Sequence, residues 1–149
     1  LRATQDVDAF YEETHHINEI IARVGQKFNL NTQEELWLNN NVANMNQQPP
    51  LDLCDTLYSF THLTVLVAPI EYVLGMQMMS AREQDLKDIG MIIKFKNFRS
   101  PFDTFDTLKK MGFSIIDFSI LLEGFSYAYG IDWLEEFFKE NQEQLQKYY

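Results

Sequence analysis

Cysteine is all but missing from this chain. Cys54 is the only one, so no disulfide framework staples the fold, and a reducing, cytoplasmic compartment is expected. Positive charge is scarce too. Twelve Lys and Arg stand against 22 Asp and Glu, a formal charge of −10. That balance favours solubility and disfavours a nonspecific grip on nucleic acid or on an anionic membrane. Between residues 51 and 79 there is no Lys or Arg at all. No apolar run reads as a membrane span, because the most apolar stretch, 111–131, is interrupted by Asp117 and Glu123. A glycine-rich phosphate loop, a nucleophile elbow and a Cys/His cluster are all lacking. The sequence therefore offers no catalytic residues, no cofactor motif and no metal site, and a non-enzyme is expected. Internal repeats are absent. The first residue is Leu1 rather than Met, so the natural start is expected to lie upstream, with room for a removed segment.

What is present suffices for one core. In 149 residues, 46% are hydrophobic and 14% aromatic, which reads as a single domain spanning 1–149. Val7, Phe10, Thr14, Ile17, Ile21, Val24 and Phe28 recur at spacings of three and four, an apolar stripe on a first helix of about five or six turns. Asn29 to Asn31 breaks it. Thr32-Gln33-Glu34-Glu35 has the form of a capping box and opens a second helix that buries Leu36, Trp37 or Leu38, Val42 and Met45. Residues 44–50, ending in Pro49 and Pro50, form a loop that looks too short for a domain linker. A short helix over 51–59 comes next, and another over 61–74. Pro69 is a defect in the latter, relieved if a helix restarts there.

Gly75 reads as the C-terminal cap of that helix. A β-hairpin then spans about 76–93: an apolar strand 76–79, a polar tip 80–88, and a return strand in which Ile89, Met91 and Ile93 alternate with Gly90, Ile92 and Lys94. Ser100-Pro101-Phe102-Asp103 starts a long helix by serine cap and first-position proline. That helix, 102–122, is apolar nearly all round, with Asp117 on a residual polar stripe, so a partner subunit is expected to cover it. Gly124 and Gly130 punctuate the next stretch, and Asp132 caps a terminal helix carrying Trp133, Leu134, Phe137, Phe138 and Leu145.

The order of helices, hairpin and long C-terminal helices resembles the MarR family of winged-helix transcriptional regulators. The resemblance is closest in Gly75-Met76, in Asp85-Leu86-Lys87 for the family's Asp-x-Arg wing tip, and in the alternation of Ile89, Met91 and Ile93. It implies a mainly α (α+β) fold, a winged helix-turn-helix with long terminal dimerisation helices and one hairpin wing. In that reading 1–30 and 100–149 dimerise and 32–95 form the winged lobe. It implies transcription regulation by a DNA-binding homodimer, a pseudo-palindromic site and a small apolar effector. The residues placed for DNA are Thr61, His62, Thr64, Arg82 and Lys87. Those placed for dimerisation are Phe10, Ile17, Ile115, Ile116, Phe118, Leu121, Trp133 and Phe137. So few cations make double-stranded DNA an electrostatically disfavoured partner, with binding weak and lost at modest salt. The alternative is an acidic winged-helix protein that acts by protein contact, as an anti-regulator or nucleic-acid mimic, without DNA. Glu12, His15, His16 and Glu19 have metal-ligand spacing, but a solvated face with ordinary ion pairs is the preferred reading. Cys54 is expected to be a buried small hydrophobe.

Overall fold

A computed structural model describes residues 6–32, 36–44, 48–80 and 82–148. The chain is mainly α-helical, with seven helices and two small two-stranded sheets among the described residues. It divides into two compact units, Leu1–Gln48 and Pro49–Tyr149. The division falls within the proline-bearing run that reads in the sequence as a mere loop.

In the first unit, β1 (Val7–Asp8) pairs in parallel with β2 (Leu38–Asn39), Val7 opposite Leu38. Helix α1 (His15–Phe28) is shorter than its apolar stripe suggests. Thr14 is its cap, the hydroxyl accepting from the Ile17 amide at 3.2 Å, and Val7 belongs to a strand. Asn29 stops the helix in the left-handed conformation at φ 54°. The chain turns back over α1 there. Asn31 donates to the Ala22 carbonyl and accepts from the Trp37 amide, while the Trp37 indole donates to Ile21 O at 3.0 Å. A Cβ at Gly25 would lie 1.9 Å from Asn31 Oδ1 and would push this side chain off both hydrogen bonds. Three residues of the expected capping box, Gln33, Glu34 and Glu35, lie outside the described residues. From Leu36 onward, however, the second helix is replaced by β2 and a 3₁₀ turn, Asn41–Asn44. Met45 is also outside the described residues.

The second unit opens with a 3₁₀ turn, Leu51–Leu53, and then forms the hairpin β3 (Asp55–Ser59) and β4 (Thr64–Val67). This corrects the two helices expected over 51–59 and 61–74. Thr56, Tyr58, Thr64, Val65 and Val67 are β-branched or aromatic, residues that fit a pleated surface better than a helix. Helix α2 (Ile70–Ser80) begins just after Pro69, whose carbonyl accepts from Tyr72 and Val73. The restart at Pro69 is thus found. The hairpin expected at 76–93 is not. Those residues are the end of α2 and most of α3 (Glu83–Lys96). The period-two alternation of Ile89, Met91 and Ile93 competes with a helical stripe, Leu86, Ile89, Gly90 and Ile93, and burial follows the helical one: Ile89 and Ile93 are buried, Met91 is exposed. Gly75 caps nothing. It lies inside α2, where a Cβ would meet the Phe113 ring at 2.4 Å.

Ser100 caps α4 (Pro101–Lys110) as the sequence implies, accepting from the Asp103 amide. The long helix expected over 102–122 is two. α4 ends at Lys110 with Met111 as its cap, Gly112 turns at φ 99°, and Asp117 caps α5 (Phe118–Tyr129) by accepting from the Ser119 amide at 2.8 Å. Asp117 is therefore a cap and not part of a polar stripe. Gly130 separates α5 from α6 (Ile131–Glu140), with Asp132 in the first turn, and α7 (Gln142–Leu145) is a short final turn. Helix α5 is the centre of the unit. Leu121 and Phe125 on it are fully buried with Ile89 and Ile93 of α3. Phe102 packs its ring against Phe118, Phe137 and Tyr148 at 5.3–5.5 Å.

Candidate interaction surface

The residues expected to read DNA are not brought together on a wing. Thr61 and His62 form the tip between β3 and β4, and Thr64 opens β4; all three are exposed. Arg82 and Lys87 sit at the start of α3. Arg82 is bound to its neighbour Asp85, whose carboxylate accepts from the Arg82 backbone N, Nε and Nη2 at 3.0, 2.9 and 3.2 Å. Burial pushes the Asp85 carboxyl up, but hydrogen bonds from Arg82 and Ser80 and the guanidinium charge outweigh it and hold the group below the usual carboxylate range. The pair is a helix-capping device at the α2–α3 turn. Because the folded-state value is lowered, its stabilisation is complete above about pH 4 and lost as pH falls through the folded value. Asp85→Ala is expected to cost about 1–2 kcal/mol at pH 7, a gap from wild type that closes in acid melts below about pH 4. A gap independent of pH would refute the ionised cap.

The residues expected to dimerise also scatter. Ile116, Phe118, Leu121 and Phe137 are buried inside their own unit, and Trp133, half-buried, stacks on Phe125 at 5.3 Å. Phe10 and Ile17 are half-buried in the first unit, and Ile115 alone is fully open. Helix α5, which carries most of that apolar stretch, packs against α3, α4 and α6 of the same chain.

Of the metal-spaced residues, His15 Nε2 lies 3.4 Å from Glu19 on an exposed helix face. No group of three His, Cys, Asp or Glu among the described residues is placed to hold a metal. Cys54 is partly exposed and donates to Pro50 O. Burial, with Asp52 and Asp55 beside it, pushes its thiol up, away from the reactive thiolate. No described helix is long and apolar enough to cross a membrane.

What sequence reasoning missed is the β3–β4 hairpin. Its register sets Tyr58 opposite Val65, Asp55 opposite Val67, Thr56 opposite Leu66 and Ser59 opposite Thr64, with Leu57 as an extra, bulged residue on β3. Opposed side chains share a face. At the tip, the Phe60 amide donates to Leu63 O at 2.7 Å, extending the ladder. One face therefore carries Thr56, Ser59, Thr64 and Leu66. The other carries Tyr58, Phe60, Leu63, Val65 and Val67, with Asp55 at its end. Sheets of this kind bury the apolar face, yet here Tyr58, Phe60, Leu63 and Val67 are 57, 61, 58 and 46% exposed. Tyr58 and Phe60 stack at 6.1 Å on that face. The signal is present in the sequence, as Thr and Ser alternating with apolar residues from Tyr58 to Val65 across a short polar tip. No family model matches the chain, and neither does any curated protein or solved structure.

Proposed function

We propose that this protein is an interaction module that works by protein contact, docking through the apolar face of the β3–β4 hairpin. The observation that carries the reading is that open face. A lone two-stranded hairpin is marginal in water, and a contiguous exposed apolar patch marks a contact site. The chemistry disfavours the alternative of a MarR-like, winged-helix DNA regulator. A wing needs cations for phosphate, and the hairpin has none, nor does any residue from 51 to 79. Arg82 and Lys87 lie instead at the start of a helix, Arg82 already engaged by Asp85.

Two measurements test this. Anisotropy with labelled genomic fragments is expected to show no DNA binding at 150 mM salt. The photoreactive analogue p-benzoylphenylalanine at position 60 is expected to form protein adducts that the same group at the exposed Glu140 does not. Equal adducts at both positions, or DNA binding at 150 mM salt that Arg82→Ala with Lys87→Ala removes, would overturn the reading.

A further inference from the structure

The occupant of the apolar face, we infer, is a second copy of this chain, the two hairpins packing face to face about a two-fold axis; this rests on the interaction reading above. The face is its own complement. Its β3 side is aromatic, Tyr58 and Phe60, and its β4 side aliphatic, Leu63, Val65 and Val67. A two-fold axis running parallel to the strands exchanges the two sides. It lays Phe60 of one copy over Leu63 of the other, and Tyr58 over Val65, so that large rings meet smaller side chains throughout.

Charge decides between this occupant and a basic partner. From Tyr58 to Val67 the face carries no charged side chain, so a cationic surface would desolvate its charges there without compensation. The one acid, Asp55, sits at the end. With strands about 4.8 Å and stacked sheets about 10 Å apart, the Asp55 backbones of the two copies stand roughly 11 Å from each other, and their carboxylates, both pointing into the gap, come to within about one Debye length of 8 Å at physiological salt. The two carboxylates therefore repel at the edge of the contact, a repulsion that salt screens. The whole chains repel as well, each carrying −10, and salt screens that repulsion. Self-association through this face therefore tightens with salt, the opposite sign from a complex with DNA or a basic protein. Five side chains per copy make an interface at the small end, where complexes are weak and transient.

The test is sedimentation velocity on the full chain from 5 to 200 µM at 50 and 500 mM NaCl. The dimer fraction is expected to rise with concentration and to be greater at 500 mM. Phe60→Lys and Leu63→Glu should each give a monomer, with a helical circular dichroism spectrum and melting temperature like wild type. Mixing these two variants should restore a dimer, because Lys at 60 of one copy then faces Glu at 63 of the other while the native Phe60 and Leu63 pair beside them. A wild type that is monomeric at 200 µM in 500 mM NaCl overturns self-pairing, as does a dimer that Phe60→Lys leaves intact, that salt weakens, or that the mixture fails to restore. If the wild type is monomeric while the adducts at position 60 form with other proteins, only the self-pairing fails. If those adducts are missing as well, the interaction reading fails with it.

Discussion

Gly124→Val is expected to abolish the folded state of the second unit, and Gly124→Ala to weaken it measurably. Helices α3 and α5 cross with almost no space between them. A Cβ at Gly124 would stand 2.1 Å from Ile89 Cγ2 and 3.2 Å from Ile93 Cδ1. One at Gly90, on the facing helix, would stand 2.6 Å from Tyr127 Cβ and 3.2 Å from the Gly124 carbonyl oxygen. Ile89 and Ile93 have no exposed surface, and a β-branched side chain in a helix holds one main rotamer, so the obstructing methyl cannot swing away. Alanine has a helix-propensity advantage over glycine of about 1 kcal/mol. Overpacking a filled core costs roughly 1–3 kcal/mol. At a contact this short the second effect wins, and Gly124→Ala should melt lower than wild type. Valine adds two further methyls at the same point and should exceed what a domain with about 5–15 kcal/mol of stability can absorb. Thermal melts of the full chain decide it, with Ile89→Ala as the compensating partner: Gly124→Ala with Ile89→Ala should be less destabilised than the sum of the two single changes. A Gly124→Val protein melting like wild type would show that the helices do not meet there.

Those glycines also explain why local pattern misleads over so much of the fold. Along the chain, Gly75 looks like a helix cap, Gly90 like an ordinary member of an alternating strand, and Gly124 like punctuation. In the folded chain Gly75, Gly90 and Gly124 all lie inside helices, absent of side chain because Phe113, Tyr127 and Ile89 occupy that space. Close approach is a three-dimensional requirement that a local pattern does not record. What is local is readable. The Ser100 cap with Pro101 behind it, the stop at Asn29 and the restart at Pro69 each depend on a few adjacent residues, and each is found. Helix α2 is buried at Tyr72, Leu74, Gly75 and Met78. A helix covered on more than one side shows neither a period of two nor one of 3.6, so nothing in 76–79 distinguishes the end of this helix from a strand. The hairpin at 55–67 is the reverse case. Its alternation is legible, but its apolar positions also fit helical spacing over so short a run. Missing it as a pair of strands hides the face on which the proposed contact rests.

Leu121→Ala is expected to lower the stability of the second unit by about 2–5 kcal/mol, and Ile115→Ala to leave it unchanged. The apolar character of 115–122 places both residues on one dimerisation surface when only the sequence is read. The structure separates them. Leu121 has no exposed surface, facing inward on the central helix, whereas Ile115 is 83% exposed in the turn before Asp117 caps that helix. Truncating Leu121 removes buried methyl groups and leaves a cavity that packed helices close only in part, so both the transfer and the cavity contributions are lost. For a unit of this size each 1 kcal/mol moves the midpoint by roughly 4–8 °C, which puts the Leu121→Ala shift on the order of 15 °C. Ile115 has little packing to lose, and surface changes of that kind stay within about 0.5 kcal/mol. Sedimentation velocity on the same two variants separates the surfaces. Where each protein remains folded, neither change should alter the dimer fraction, since neither residue lies on the β3–β4 face. A dimer that Ile115→Ala dissolves would return the interface to the C-terminal helices and remove it from the hairpin.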